Sequence, residues 1–221
     1  MRHIKVILGD CMEVMKQYPE KYFDLAVVDP PYNISSQQKR GVGSRIDKSG
    51  KMNNWNNLPP NIEYFDNLFN VSSEQIIWGA NNYEGLPRTE YFAIWDKKQT
   101  VDNFASAEYA WVSMGIGKPA KIFEYGIHKH NSDIDRIHPT QKPVALYDWI
   151  YKNYLPEGGK VLDTHGGSMS NVISWIKAGN IDGVCVEIDA DYFKDAKKRI
   201  QNFLAQQDMF RNPVTVEFIE P

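Results

Sequence analysis

Apolar and polar residues run along this chain in blocks whose period keeps changing. Short runs rich in β-branched and aromatic residues at 4–8, 25–28, 75–79, 91–95, 109–114, 121–125, 160–163 and 183–188 each predict a strand. Between them, apolar positions recur at three- and four-residue spacing over 12–17, 62–69, 144–154, 170–178 and 191–207, which predicts helices. In the 144–154 stretch, Leu146, Trp149, Ile150 and Tyr154 share a face, and Pro143 stands at its start, where a missing N–H costs nothing. Such alternation argues for a three-layer α/β fold with a largely parallel sheet. The middle strands are closely spaced and read as an antiparallel hairpin. In an open sheet of this kind, ligands bind beyond the carboxyl ends of the strands. Asp10, Asp29, Asp163 and Glu187 fall at such ends, so one cleft is predicted to gather them.

Composition narrows the picture. At 221 residues and 42% hydrophobic, the chain reads as a single domain over 1–221, too short to carry a large separate recognition domain. There is no signal-peptide pattern and no apolar run long enough to span a bilayer, so a cytoplasmic protein with no membrane partner is expected. Cys11 and Cys185 both fall in predicted core strands and read as buried thiols without a disulfide framework. His128, His130 and His165 lack metal-ligand spacing, and no metal is expected. The formal net charge is −3 and the pI about 6.0, so binding a polyanion requires a local basic surface. The segment 35–58 offers one in Lys39, Arg40, Arg45, Lys48 and Lys51, set among glycines and serines and placed to clamp phosphates. Its bland alternative is a solvated loop. A more dilute set, Lys118, Lys121, His128, Lys129, His130 and Arg136, is the second candidate to flank a nucleic acid.

Three motifs carry chemistry. The first is Asp29-Pro30-Pro31-Tyr32, directly after the apolar run Leu25 to Val28. A strand that delivers a carboxylate, two prolines and an aromatic ring into a loop builds a rigid pocket for a flat polar group. An exocyclic amino group is a poor nucleophile because its lone pair is delocalised into the ring, so a catalyst must accept its N–H protons. The Asp29 carboxylate and the Pro30 carbonyl supply two such acceptors, and Tyr32 supplies a ring on which an extruded base stacks. An Asp-capped Pro-Pro turn is the plainer reading. The second motif runs from strand 160–163 through Asp163, Thr164, His165, Gly166, Gly167 and Ser168 into a helix, a turn at which backbone N–H groups can meet a ligand. Glu187 closes the next strand 20 positions beyond Gly167, as an acid does when it bonds ribose hydroxyls. A plain βαβ unit explains the same pattern. The third motif is His138-Pro139-Thr140-Gln141-Lys142-Pro143, where Lys142 puts an ammonium at the mouth of the sheet and implies a carboxylate partner.

Taken together these residues resemble the amino-methyltransferases of DNA. The tetrapeptide is similar to their catalytic element, Gly9-Asp10-Cys11-Met12-Glu13 to the element that contacts the cofactor adenine, and the Gln141-Lys142-Pro143 stretch to the one beside the cofactor's methionine end. The order, catalytic tetrapeptide before cofactor turn, resembles the circularly permuted beta group. The pieces 94–97, 107–111 and 121–125 resemble phage-type adenine N6-methylases, so the likeness spans nearly the whole chain. It implies a Rossmann-like class I methyltransferase fold, S-adenosyl-L-methionine as cofactor, and DNA as partner. It implies catalytic roles for Asp29, Pro30, Pro31 and Tyr32 after base flipping. The cofactor-binding residues would be Asp10, Cys11, His138, Gln141, Lys142, Pro143, Asp163, Thr164, His165, Gly166, Gly167, Ser168, Glu187 and Ile188. Segment 97–134 would serve as a minimal target-recognition region, a homodimer fits so small a recognition surface, and the setting would be bacterial or phage-encoded and nucleoid-associated. An Asp at the first tetrapeptide position favours adenine. Cytosine N4, RNA or a protein glutamine remain alternative substrates. Two departures stand out: Thr164-His165 replaces the family's Pro-Phe, and Met169 stands where a glycine is usual, at a cost if that position needs φ > 0. That second departure raises a further alternative, a nucleic-acid-binding relative that has lost tight cofactor binding.

Overall fold

A computed structural model describes residues 2–32, 59–102, 105–132, 137–138, 140–206 and 214–221. Nine strands form one sheet: β1 (Arg2–Leu8), β2 (Phe23–Val28), β3 (Ser72–Trp78), β4 (Tyr91–Asp96), β5 (Ala107–Val112), β6 (Lys121–Glu124), β7 (Lys160–Asp163), β8 (Asp182–Glu187) and β9 (Val214–Ile219). The helices are α1 (Cys11–Met15), α2 (Ile62–Val71), α3 (Ile127–Ser132), α4 (Val144–Tyr154), α5 (Ser170–Ala178) and α6 (Ala190–Gln206). Spatial order is β6-β4-β5-β3-β2-β7-β8-β1-β9. Among these strands only β5 runs against its neighbours, pairing antiparallel with both β3 and β4. The predicted hairpin is therefore β4–β5 inside an otherwise parallel sheet.

Strand alternation sorts the core into two layers. Leu25 and Val27 of β2 face one side with Ile4, Val6 and Cys185, where they meet Leu146 and Ile150 of α4, Val172 and Trp175 of α5, and Phe193 and Ile200 of α6. Ala26 and Val28 face the other side with Val184 and Val186, against Val14 and Met15 of α1 and Phe65 and Leu68 of α2. This is the expected three-layer arrangement. Burial of both sheet faces also explains why the central strands read as continuous apolar runs.

Two predicted features shift. Cys11 is not in a strand: it opens α1, half-buried, because Asp10 stops β1 by accepting the Met12 N–H at 2.8 Å and capping the helix. Cys185 is buried in β8 as expected. Strand β9, paired parallel with β1 from Arg2↔Val214 to Ile7↔Ile219, and helix α3 have no counterpart among the predicted elements.

Topology positions the site. The chain leaves β2 toward β3 on one side and leaves β7 toward β8 on the other, so adjacent β2 and β7 form a switch point. Their register, Leu25↔Val161 and Ala26↔Leu162, carries Asp29 and His165 to neighbouring strand ends. On the far side, Leu8↔Glu187 brings Asp10 next to the end of β8.

Candidate active site

At the end of β2, Asp29 enters a largely buried pocket. Its Oδ2 is ion-paired with the Lys142 ammonium, whose side chain is 3% exposed, while Oδ1 is buried with no hydrogen-bond partner. Lys142 also reaches Glu108 Oε2 at 3.2 Å, and its ammonium lies 5.3 Å from the centre of the Trp78 ring. The second Glu108 oxygen binds Lys97. Four charges thus alternate in a row, Asp29, Lys142, Glu108 and Lys97. Burial pushes the Asp29 carboxyl above its usual range, with Lys142 opposing. For Lys142 burial works toward neutrality, but Asp29 and Glu108 outweigh it and hold the ammonium well above its ordinary range. Burial also raises Glu108, yet the Lys142 and Lys97 ammonium groups dominate and bring it down to about 2. Charged partners on both sides thus hold the two middle members, Lys142 and Glu108, in their charged forms despite burial.

The next three residues of the tetrapeptide are held from outside. The Pro30 carbonyl accepts the Tyr83 hydroxyl at 2.5 Å, which fixes its direction and leaves one lone pair for a ligand. Burial, then the Asp29 charge, raises Tyr83 far above its ordinary range, so it stays a donor. The Tyr32 ring meets Tyr83 edge-on with centroids 6.4 Å apart. It also lies on Gly79, at φ +69, where a β-carbon would stand 2.7 Å from the ring. Glycine at 79 makes room for Tyr32.

At the end of β7 the chain turns tightly. Gly166 donates to the Val186 carbonyl at 2.8 Å, Met169 donates to the Gly166 carbonyl at 2.7 Å, and Gly167 takes φ +51. A β-carbon on Gly166 would come within 2.6 Å of Cys185 Sγ, so this backbone is pressed against β8. Met169 does adopt the left-handed conformation, φ 54 and ψ 38, with its side chain fully buried. Glu187 accepts the Gly167 N–H at 2.6 Å and the Asp189 N–H at 2.8 Å, which ties the turn to the end of β8. Asp163 accepts the His165 N–H at 2.9 Å and Asn171 Nδ2 at 2.6 Å. It is buried, which raises its carboxyl to about 8, so this acid shapes the turn from below. Thr164 Oγ1 sits between the Tyr64 hydroxyl at 2.6 Å and His165 Nδ1 at 2.9 Å. Burial lowers the His165 imidazole to about 4 and keeps it neutral.

These ends share one opening. A cleft of about 340 Å³ is lined by Met12, Pro31, Pro60, Asn61, Tyr64 and His165, among others, so the tetrapeptide loop and the glycine turn face the same space. Ile188 stands at the strand ends, 66% exposed. From α4's leading segment, the His138 ring lies 3.6 Å from where a Gly167 β-carbon would be and packs on Tyr192 with centroids 4.4 Å apart. Gln141 is buried, accepts the Ile137 N–H at 3.2 Å, and leaves its own Nε2 unpaired. Pro143 caps α4 as an extended residue, and Ser168 is buried with its carbonyl bonded to Arg199 at 2.7 Å. The carboxylate partner implied for Lys142 comes from the chain itself.

Lys39, Arg40, Arg45, Lys48 and Lys51 lie outside the described residues. Of the second basic set, His130 is corrected: it is buried, with Nε2 2.7 Å from the Gln141 carbonyl oxygen and its ring against Trp95, so it supports the lysine segment and does not face a nucleic acid. Segment 97–134 contributes β5, β6 and α3. Glu108, Lys97, Tyr83, Gly79 and Tyr64 were not singled out individually by sequence. Glu108 and Lys97 fell only inside segments quoted for their resemblance, and the spacing of any of the five carries no sign of its partner.

Known proteins add the remaining link. The profile of the DNA methylase family, the N6/N4 methyltransferases, matches residues 60–198, well over half the chain. The Type II methyltransferase M.HinfI of Haemophilus influenzae is 22% identical over 89% of this chain and 68% of its own. A crystal structure of an M1.HpyAVI–SAM complex superposes with a TM-score of 0.54 at 18% identity, covering 89% of this chain and 99% of that one. The cytosine-N4-specific PvuII DNA methyltransferase superposes at 0.55 with 11% identity, over 97% and 96%. The solved structures show a shared fold, and the family match over residues 60–198 shows that this chain belongs to the DNA methylase family of N6/N4 methyltransferases.

Proposed function

We propose that the chain transfers a methyl group from S-adenosylmethionine to the N6 amino group of adenine in DNA, after the base is flipped out of the stack. The observation that carries this reading is the unpaired, buried Asp29 Oδ1 at the end of β2, in the tetrapeptide whose Pro31 shares a cleft with His165 of the glycine turn. The residues present fit the cofactor: the turn at Gly166 is too close to Cys185 for a side chain, and Asp10, Glu187 and Ile188 stand together at adjoining strand ends. His165, Gly166, Gly167, Glu187 and Asp10 would hold it, with Ile188 offering an apolar face. When bound, S-adenosylmethionine supplies an electrophilic methyl group.

The chain's own residues prepare the nucleophile. Asp29 Oδ1 accepts one amino N–H, and the free lone pair of the Pro30 carbonyl accepts the other, drawing the nitrogen lone pair out of conjugation. Lys142 opposes the desolvation that favours the acid form of Asp29, and Tyr83 holds the Pro30 carbonyl in place. Tyr32 offers its face to the base, and extrusion itself costs a few kcal/mol in duplex DNA. The tetrapeptide's Asp supports adenine, while the fold likeness to a cytosine-N4-specific enzyme keeps cytosine as the second reading. Replacing Asp29 with Ala is expected to abolish transfer from labelled S-adenosylmethionine to DNA while calorimetry still shows cofactor binding; unchanged transfer refutes the role of Asp29. Mass spectrometry of nucleosides from the methylated DNA separates the readings, N6-methyldeoxyadenosine supporting the first and N4-methyldeoxycytidine the second.

A further inference from the structure

We infer that Glu108 is a positioning residue for the transfer: it shares the Lys142 ammonium with Asp29 and, anchored by Lys97, holds that ammonium on Oδ2 so that Oδ1 stays open. This rests on the function proposed above. An ammonium carries three donors, and nothing about lysine alone confines it to one carboxylate oxygen. Here one donor goes to Asp29 Oδ2, and the same ammonium is ion-paired with Glu108 Oε2 at 3.2 Å. Glu108 is itself fixed, because its other oxygen is taken by Lys97 and its backbone lies in β5, paired opposite Trp95 of β4. All three side chains are largely buried, with 3% exposure for Lys142, 14% for Lys97 and 27% for Glu108, so water screens the row weakly.

Charge bookkeeping gives the test its sign. The groups that act on Asp29 are Lys142 before α4, Glu108 of β5 and Lys97 after β4. Asp163, Tyr64, Tyr83 and Tyr147 also sense charge in the same pocket. Glu108 favours the protonated form of Asp29, and Lys97 disfavours it. Removing the Glu108 charge therefore makes Asp29 a stronger acid and draws Lys142 across both of its oxygens.

The experiment measures the pH profile of kcat, and KM for S-adenosylmethionine and DNA, in the full chain and in Glu108→Gln, Glu108→Asp and the double variant Glu108→Gln with Lys97→Met. Glu108→Gln is expected to lose about tenfold in kcat with KM nearly unchanged, and its acid limb should move about one pH unit lower. Glu108→Asp keeps the charge and should hold the limb near that of the parent, and the double variant should bring it part of the way back. A residue that only stabilises the fold would change yield and melting temperature without moving the limb. An unmoved limb in an active Glu108→Gln, or an equal shift in Glu108→Asp, overturns the inference. Should Glu108→Gln fail to fold, a limb moved lower in the double variant fully as far as the Gln charge loss predicts, with no return, overturns it as well. Absence of transfer by the parent chain to any DNA overturns the proposed function instead.

Discussion

Met169 is the residue that most sharply separates a working turn from a damaged one. It holds a left-handed backbone at the start of α5, with its side chain fully buried and its Cγ 3.3 Å from where a Gly166 β-carbon would stand. Two opposing effects follow. A non-glycine residue in that conformation costs about 1–2 kcal/mol, whereas truncating a buried methionine to alanine costs about 2–5 kcal/mol. Burial outweighs strain, so the methionine is a packed part of the core that the turn accommodates. Met169→Ala loses the packing and keeps the strain, and should lower stability by about 2–5 kcal/mol, a fall of roughly 2–4 °C in Tm for each kcal/mol in a chain of this size. Met169→Gly loses the same packing beyond the β-carbon but sheds the strain, offset by about 0.4–1 kcal/mol of extra unfolded-chain entropy. The smaller residue should therefore be the milder change, with glycine more stable than alanine by roughly 0.5–1 kcal/mol. Urea unfolding of the three proteins at one pH, with slopes compared to confirm equal surface exposure, gives the order. Alanine equal to or more stable than glycine, or glycine more stable than the parent, would refute the reasoning.

Two further outcomes test the same turn. Gly166→Ala should cost about 1–3 kcal/mol, because its β-carbon would fall 2.6 Å from Cys185 Sγ; combining it with Cys185→Ala should recover much of that loss, and strict additivity in a double-mutant cycle would contradict the contact. Asp163, raised from an ordinary 3.8 to about 8 by burial, contributes stability that is fully present below about pH 4 and is lost as pH rises through 8. Asp163→Asn should consequently gain on the parent in thermal melts as pH increases from 4 to 8, then level off, and a difference independent of pH would show that the buried carboxyl is ionised throughout.

Eight of the nine strands, β1 to β8, and five of the helices were legible. Burial on both faces gives β2, β7 and β8 unbroken apolar runs, the outer β4 and β6 are marked by β-branched and aromatic residues, and helices keep one polar side. Strand β9 escaped even though Val214, Val216 and Phe218 alternate as a strand should. Only pairing with β1 distinguishes such a six-residue segment from an extended tail. Cys11 was misplaced because an Asp cap can end a strand and start a helix within two residues. The tetrapeptide, the glycine turn and the spacing to Glu187 could be read from local order, since each is a strand end with a turn chemistry of its own.

Partnership was a different matter. Lys142 announced a need for a carboxylate, but Asp29 lies 113 positions earlier and Glu108 arrives from a strand inserted backwards into the sheet. Tyr83 reaches the Pro30 carbonyl from 53 positions away. Local chemistry decides which groups wait at the strand ends, because a residue's type and its nearest neighbours set its turn, cap and burial. Which charge neutralises which, and which lone pair is left open for a ligand, depends on strand order across the sheet, and no periodicity along the chain encodes that.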